Sequence, residues 1–192
     1  MAATSVDTIV RNRSFWWDRA RCAYADVPLL EAVIFDFDAP LAATEQDAHM
    51  FRELIWSLHC GGIRVAVTAA GPRARIQPLV RELIGDGVVE VMITAEDVVR
   101  PKPDPEVYHR ALSELGIGPA SAMAVEHSPS GFHTARAAGL ATIAVTTHAI
   151  RSQDFAGAAA VQDRYDCAEP LSAHRCRRLH ERWWIHRARL SA

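Results

Sequence analysis

The sequence predicts an α/β fold, a three-layer sandwich around a mostly parallel central sheet. Three observations predict it. Short apolar runs alternate with stretches of helical periodicity along residues 31–146. Several of these runs close on a polar or charged residue, as strands of a buried parallel sheet do at their solvent-facing ends. A length of 192 residues suits one domain with appendages and is enough to bury a substantial core.

Residues 1–30 read as an extension with one helix near Ser14–Tyr24. Val33-Ile34-Phe35 is a short apolar run ending in Asp36, which suits a buried strand. Thr44 to His59 reads as a helix, because Met50, Leu54 and Leu58 recur at spacing four and Gly61-Gly62 stops it. Ile63–Thr68 is the second strand, Arg73–Ile84 a helix and Val88–Ile93 the third strand. Pro105–Leu115 is a helix ended by Gly116, and Ala122–Val125 is the fourth strand. Gly131–Ala138 is a helix ended by Gly139, and Ala141–Thr146 is the fifth strand. The sequence holds no internal repeat and no low-complexity tract.

Composition narrows the function classes. The formal charge is −2, which gives no nucleic-acid signature. No apolar run approaches the roughly 18 residues of a membrane span. The first 17 residues carry no basic-then-apolar leader pattern, so the expected location is the cytoplasm. Cys22, Cys60, Cys167 and Cys176 form no CxxC pair and read as free thiols. The spacing of Cys167, His174, Cys176 and His180 lacks the paired short ligand loop of a zinc site. Of the 21 basic residues, 20 are arginine, and Lys102 is the only lysine.

In parallel α/β sheets ligands bind beyond the carboxyl ends of the strands. Polar residues converge there. Strand one ends in Asp36-Phe37-Asp38 and strand two in Thr68; strand three leads to Lys102, and strand four ends in Glu126-His127-Ser128. Two carboxylates one residue apart lie on the same side of an extended chain. One can attack phosphorus while the other handles the leaving-group proton. Crowded acids repel, which implies a divalent cation with oxygen ligands. A hydroxyl and an ammonium suit the oxygens of a transferring phosphoryl group. Taken singly, each residue has an ordinary structural explanation, and a lone DxD is usually a solvated loop. The joint order and strand-end placement carry the reading.

Four stretches, IFDFDAPL, VAVTAAG, RPKPDPEVYHRAL and AVEHSPSGFHTARAAGL, occur in an order that resembles the haloacid dehalogenase-like (HAD) hydrolase superfamily. The likeness is to its phosphatase and phosphoglucomutase-like branch and spans about residues 31–146. It implies a HAD-like, Rossmann-like core at 31–165, flanked by the 1–30 extension and a basic, Trp-containing helical tail at 166–192. It implies that Asp36 is a nucleophile forming an aspartyl-phosphate and Asp38 the general acid/base. Thr68 and Lys102 become phosphate-binding residues. Asp36, Asp38, Glu126 and His127 fall at the metal site, with Mg²⁺ the expected cofactor.

Three departures qualify the likeness. Ala39-Pro40 stands where the branch has Gly-Thr, which changes backbone freedom and removes a donor. His127 replaces a carboxylate, so weaker Mg²⁺ binding is expected. Either Mn²⁺, Co²⁺ or Zn²⁺ is accepted through the imidazole, or His127 bonds locally and no metal binds tightly. Only 30 positions separate Asp38 from Thr68, so no large cap domain is expected and the rim is open.

Both ends carry paired tryptophans, Trp16-Trp17 and Trp183-Trp184. Residues 173–192 hold six arginines against Glu181 alone. The plain reading is a terminal helix docked by Leu179, Trp183 and Ile185 with a solvated arginine face. The sharper one packs the two ends together, over the rim or at an interface with another copy or a protein partner. RNA, an acidic partner and a membrane surface are not distinguished by the sequence. The expected function is a metal-dependent phosphatase acting on an unidentified phosphorylated substrate. The alternative is a HAD-fold protein with weakened or lost catalysis that binds or assembles through its Arg/Trp-rich termini.

Overall fold

The computed structural model describes residues 27–38, 44–146, 152–165 and 169–190. The helix expected near Ser14–Tyr24, the Trp16-Trp17 pair and Ala39-Pro40 lie outside these residues. The described elements are β1 (Ala32–Asp36), α1 (Glu45–Cys60), β2 (Arg64–Thr68), α2 (Arg73–Ile84), β3 (Val89–Ile93) and α3 (Glu106–Leu115). They continue as β4 (Ala122–Glu126), α4 (Pro129–Ala137), β5 (Ala141–Thr146), β6 (Ala160–Asp163) and α5 (Ala173–Leu190). The six strands form one sheet in the order β3-β2-β1-β4-β5-β6, and every neighbouring pair is parallel. The sheet is thus wholly parallel where the sequence predicted mostly so. β6 was not predicted, because Ala160-Val161-Gln162-Asp163 has neither an apolar run nor clear alternation.

The two faces are packed differently. On one, Val33, Phe35, Val65, Val67, Met123 and Val125 meet Phe51, Leu54 and Leu58 of α1, Ile76 and Val80 of α2, and Trp183 of α5. On the other, Ala32, Ala66, Ala122 and Ala124 sit with Ile34 under α3 and α4. These small side chains leave depth for the fully buried Tyr108 of α3.

Helix ends follow local chemistry. Thr44 and Asp47 form a capping box at α1, with each side chain bonded to the other residue's backbone N–H. Arg164 clamps this cap, its Nε donating to Asp47 Oδ1 at 3.1 Å and Nη2 to Oδ2 at 2.8 Å. Helix α4 starts two residues earlier than predicted. Ser128 caps it by accepting from Gly131 N, and Pro129 takes the first position, where no N–H is needed.

The tail helix α5 docks beside α1. Ala173 N donates to Ser57 Oγ at 2.9 Å, and Trp183 Nε1 donates to Gly157 O at 3.1 Å. Its buried residues are Ala173, Cys176, His180 and Trp183; Leu179 packs against their edge, and Ile185 lies outside this cluster. The guanidinium groups of Arg136 and Arg187 lie over the Trp183 ring. No helix among the described residues is long and apolar enough to cross a membrane.

Candidate active site

The chain runs from β1 outward to β2 and β3, then crosses to β4, β5 and β6 on the other side. Strand order therefore reverses at β1 and β4, and the crevice beyond their carboxyl ends is where a parallel sheet opens to a ligand. Asp36 closes β1 directly opposite Thr68, which closes β2. Glu126 closes β4. Their side chains are buried at the rim.

Lys102 comes to this point on the loop between β3 and α3. That loop is held from both sides. Thr94 and Asp97 cap the turn Ala95–Asp97, and Arg73 Nη2 reaches Asp97 Oδ2 at 2.7 Å. Glu106 accepts from the backbone N–H groups of Val99 and Arg100 at 2.8 and 3.0 Å. The Lys102-Pro103 peptide bond is cis. Lys102 Nζ then sits 2.5 Å from Asp36 Oδ1, 3.2 Å from Asp38 Oδ2 and 3.5 Å from Glu126 Oε1. One ammonium serves three carboxylates.

Glu126 is fixed by packing as much as by charge. The Tyr108 hydroxyl donates to its Oε1, and Lys102 Nζ lies 5.6 Å from the centre of the Tyr108 ring. A Cβ at Gly131 would collide with the Glu126 carboxylate, so only glycine admits this approach of α4 to β4. Asp38 accepts from the Ala70 backbone N–H, which joins the turn after β1 to that after β2. The Thr68 hydroxyl is buried beside Tyr108 with no hydrogen bond of good geometry among the described residues.

These contacts set the ionisation of the site. Burial, with Glu126 and Asp38 as neighbouring negative charges, pushes Asp36 up to about 8, against the opposing pull of Lys102. Burial alone would lower Lys102, but Glu126, Asp36 and Asp38 together hold it above its ordinary value. Burial lifts the Tyr108 phenol well above the usual range, reinforced by Glu126 and Asp36.

His127 faces a different partner. Its Nε2 lies 3.0 Å from the hydroxyl of Tyr165, which packs edge-on against Phe51. Its Nδ1 is buried without a hydrogen bond among the described residues. Burial, with Lys102 nearby, lowers His127 to about 4, so the ring is neutral near pH 7.

The sequence-predicted residues Asp36, Asp38, Lys102 and Glu126 are therefore in contact, Thr68 stands beside them, and His127 is turned to Tyr165. Among the described residues no group of three His, Cys, Asp or Glu side chains is arranged to hold a metal ion. Lys102 occupies the space between the carboxylates, while Glu126 and His127 are engaged by Tyr108 and Tyr165. The arrangement does not fit a preformed cation site. Sequence reading missed Tyr108, Tyr165 and Arg75. Tyr108 lay within the KPDPEVY stretch, but its depth depends on the alanine-lined face. Arg75 and Tyr165 carry no local signal.

A cavity of about 400 Å³ opens above this cluster, lined by Asp38 and Lys102 with Gly71, Arg75, Ser128 and Ser130. This is an ordinary volume for a small-molecule site.

Comparison with known proteins agrees with this architecture. A family model described as haloacid dehalogenase-like hydrolase matches residues 48–145. Protein CbbY of Rhodobacter capsulatus is 36% identical over 110 residues, covering 55% of this chain and 48% of that protein. Validoxylamine A 7'-phosphate phosphatase of Streptomyces hygroscopicus subsp. limoneus is 34% identical over 125 residues, covering 65% of this chain and 53% of that protein. The chain spans about half the length of the curated relatives it matches. Among solved structures, CbbY from Rhodobacter sphaeroides in complex with phosphate aligns with a TM-score of 0.60 at 22% identity, covering 71% of this chain and 95% of that one. A β-phosphoglucomutase from Clostridium difficile aligns with a TM-score of 0.65 at 11% identity, covering 82% and 100%. These structural likenesses concern the fold. Nothing in the matches supports a role as a non-catalytic binding subunit.

Proposed function

The chain belongs to the haloacid dehalogenase-like hydrolase family, and we propose that it is a phosphatase using Asp36 as nucleophile. The observation that carries this reading is the contact of Lys102 Nζ with both Asp36 and Asp38 at the rim of the crevice. Relatives named as phosphatases add support.

In this reading an oxygen of Asp36 bonds to phosphorus as the P–O bond to the leaving group breaks, giving an aspartyl-phosphate. Asp38, in its acid form, gives the leaving oxygen its proton. Asp38 then takes a proton from water, whose oxygen attacks phosphorus. The acyl phosphate breaks, releasing inorganic phosphate and restoring Asp36. Thr68 and Lys102 hold the phosphoryl oxygens; the buried, unmatched Thr68 hydroxyl is a donor available for that purpose. Only the ionised form of Asp36 attacks. Lys102 is thus needed twice: it favours ionisation of a carboxyl that burial has pushed up to about 8, and it meets the incoming charge.

No step here passes through a metal ion. The Mg²⁺ dependence that the resemblance implies is read in the same assay. A panel of phosphate esters should be tested without divalent cation and with Mg²⁺, Mn²⁺, Co²⁺ or Zn²⁺. We expect turnover by the native chain and none by Asp36→Asn. Equal rates for the two proteins across the whole panel would refute the proposal.

A further inference from the structure

The cavity has a second cationic wall that the phosphatase reading does not use. Arg75 stands in the first turn of α2, and its side chain lines the cavity with Lys102 and Asp38. It has no hydrogen-bond or ion-pair partner among the described residues. Other arginines near the rim are paired: Arg73 with Asp97, Arg100 with Asp104 and Glu106, and Arg164 with Asp47. Asp38, the acid that shares the cavity wall, is already taken by Lys102 and by the Ala70 N–H.

The position of Arg75 is set by its neighbour. Its guanidinium lies over Gly71, where an added Cβ would stand 2.6 Å from Nη2 and 3.3 Å from Cζ. Ile76 Cδ1, at 3.2 Å from the same point, closes the space behind it. Gly71 has no positive φ that would require glycine. What the glycine provides here is room for the arginine to fold back along the cavity wall. The result is a planar, permanently charged fork facing a space whose other cation, Lys102, is committed to three carboxylates. Ser128 and Ser130 add hydroxyls across the cavity.

Resting on the phosphatase reading of the same site, we propose that Arg75 is a specificity-determining residue for a second anionic group. The substrate class is then small phosphate esters carrying a further phosphate or carboxylate. Lys102 and Thr68 meet the phosphoryl group that is transferred, and Arg75 pairs with the far anion. A bidentate guanidinium pair suits either chemistry.

The test uses three alkyl phosphate esters of matched chain length, ending in a methyl group, a carboxylate or a second phosphate. Native chain, Arg75→Met, Arg75→Lys and Gly71→Ala are compared by the ratio of kcat/KM for each doubly anionic ester to that for the methyl-ended one. We expect a native ratio of about tenfold or more, a single charge-assisted pair being worth 1.4 kcal/mol at tenfold. Arg75→Met should bring it near one, Arg75→Lys should keep part of it, and Gly71→Ala should lower it with the charge retained. Whichever ester shows the larger ratio identifies the far group as phosphate or carboxylate. A native ratio near one overturns the proposal. So does an equal loss on all three esters in Arg75→Met, which would place Arg75 on the transferred phosphoryl group instead. Calorimetric binding of the same esters to Asp36→Asn separates the two readings. A preference for the second anion that Arg75→Met removes, with no turnover by the native chain, keeps this inference and sinks the phosphatase. Turnover without such a preference does the reverse.

Discussion

The two halves of the rim, around Lys102 and around His127, are built on opposite principles. Around Lys102, three carboxyl groups crowd one ammonium within 3.5 Å, Asp36 and Glu126 buried and Asp38 open to the cavity. Around His127, a neutral imidazole meets a buried phenol, and no charge is present near pH 7. The first half stores electrostatic tension that a phosphoryl group can use. The second resembles a packed core with one hydrogen bond. A crowded cluster of this kind is costly to the fold, and perturbed groups of this sort cluster at functional sites, in keeping with the proposed reaction. A neutral pair costs little and contributes packing.

The contrast is broken most sharply by removing its central charge. Lys102→Met should lower turnover by at least about 100-fold, in line with the loss of a preorganised electrostatic donor. Lys102→Arg should fail to restore it, since a planar fork does not substitute for a compact ammonium among three carboxylates. Steady-state rates on the best ester of the panel check both.

A smaller effect concerns stability. Asp36 has its ordinary value of 3.8 pushed up to about 8, so the folded state holds its proton where the unfolded chain has lost it. The contribution of this group is therefore fully present below about pH 4 and is lost as pH rises towards 8. Asparagine cannot ionise. Asp36→Asn should match the native Tm at or just below pH 4 and exceed it by a margin that grows with pH to about 4 °C at pH 8. A thermal melt series over that range decides, and a constant offset would mean that charge crowding is not the cause.

The smallest effect sharpens the other half. His127→Asp breaks the bond to Tyr165 and adds a fourth acid beside Lys102. We expect its Tm to fall by about 3 °C without divalent cation and to recover with Mg²⁺ by more than the native chain gains. An equal Mg²⁺ response in both proteins would show that this position does not influence cation binding.

Much of the fold was legible because it is written in local periodicity. Arg73–Ile84 and Ala141–Thr146 were predicted with the bounds the structure gives. Spacing-four leucines, stop glycines and short apolar runs are properties of a few consecutive residues. β6 escaped because its identity comes from pairing with β5, through Ala144 opposite Val161 and Thr146 opposite Asp163, and not from its own side chains. The tail helix and its docking through Trp183 were foreseen, yet Cys176 and His180 join that contact in place of Ile185 because of the surface the helix meets. His180 Nε2 reaches Ala120 O, 60 residues away in sequence, which no local pattern encodes.

The candidate site divides the same way. Asp36, Asp38, Thr68, Lys102 and Glu126 were named from the sequence, because strand ends of a parallel sheet converge by topology and each motif marks its own strand end. The sequence by itself determined which groups arrive at the rim. The tertiary structure decided what each one meets there. Tyr108 reaches Glu126 because alanines on one sheet face let α3 sink, and Tyr165 holds His127 because β6 delivers it beside α1. Arg75 lines the cavity because Gly71 leaves the space open. The reason is physical: backbone hydrogen bonding and periodic burial are local and repeat along the chain, whereas partner choice, charge and burial of one side chain depend on atoms that only folding brings near.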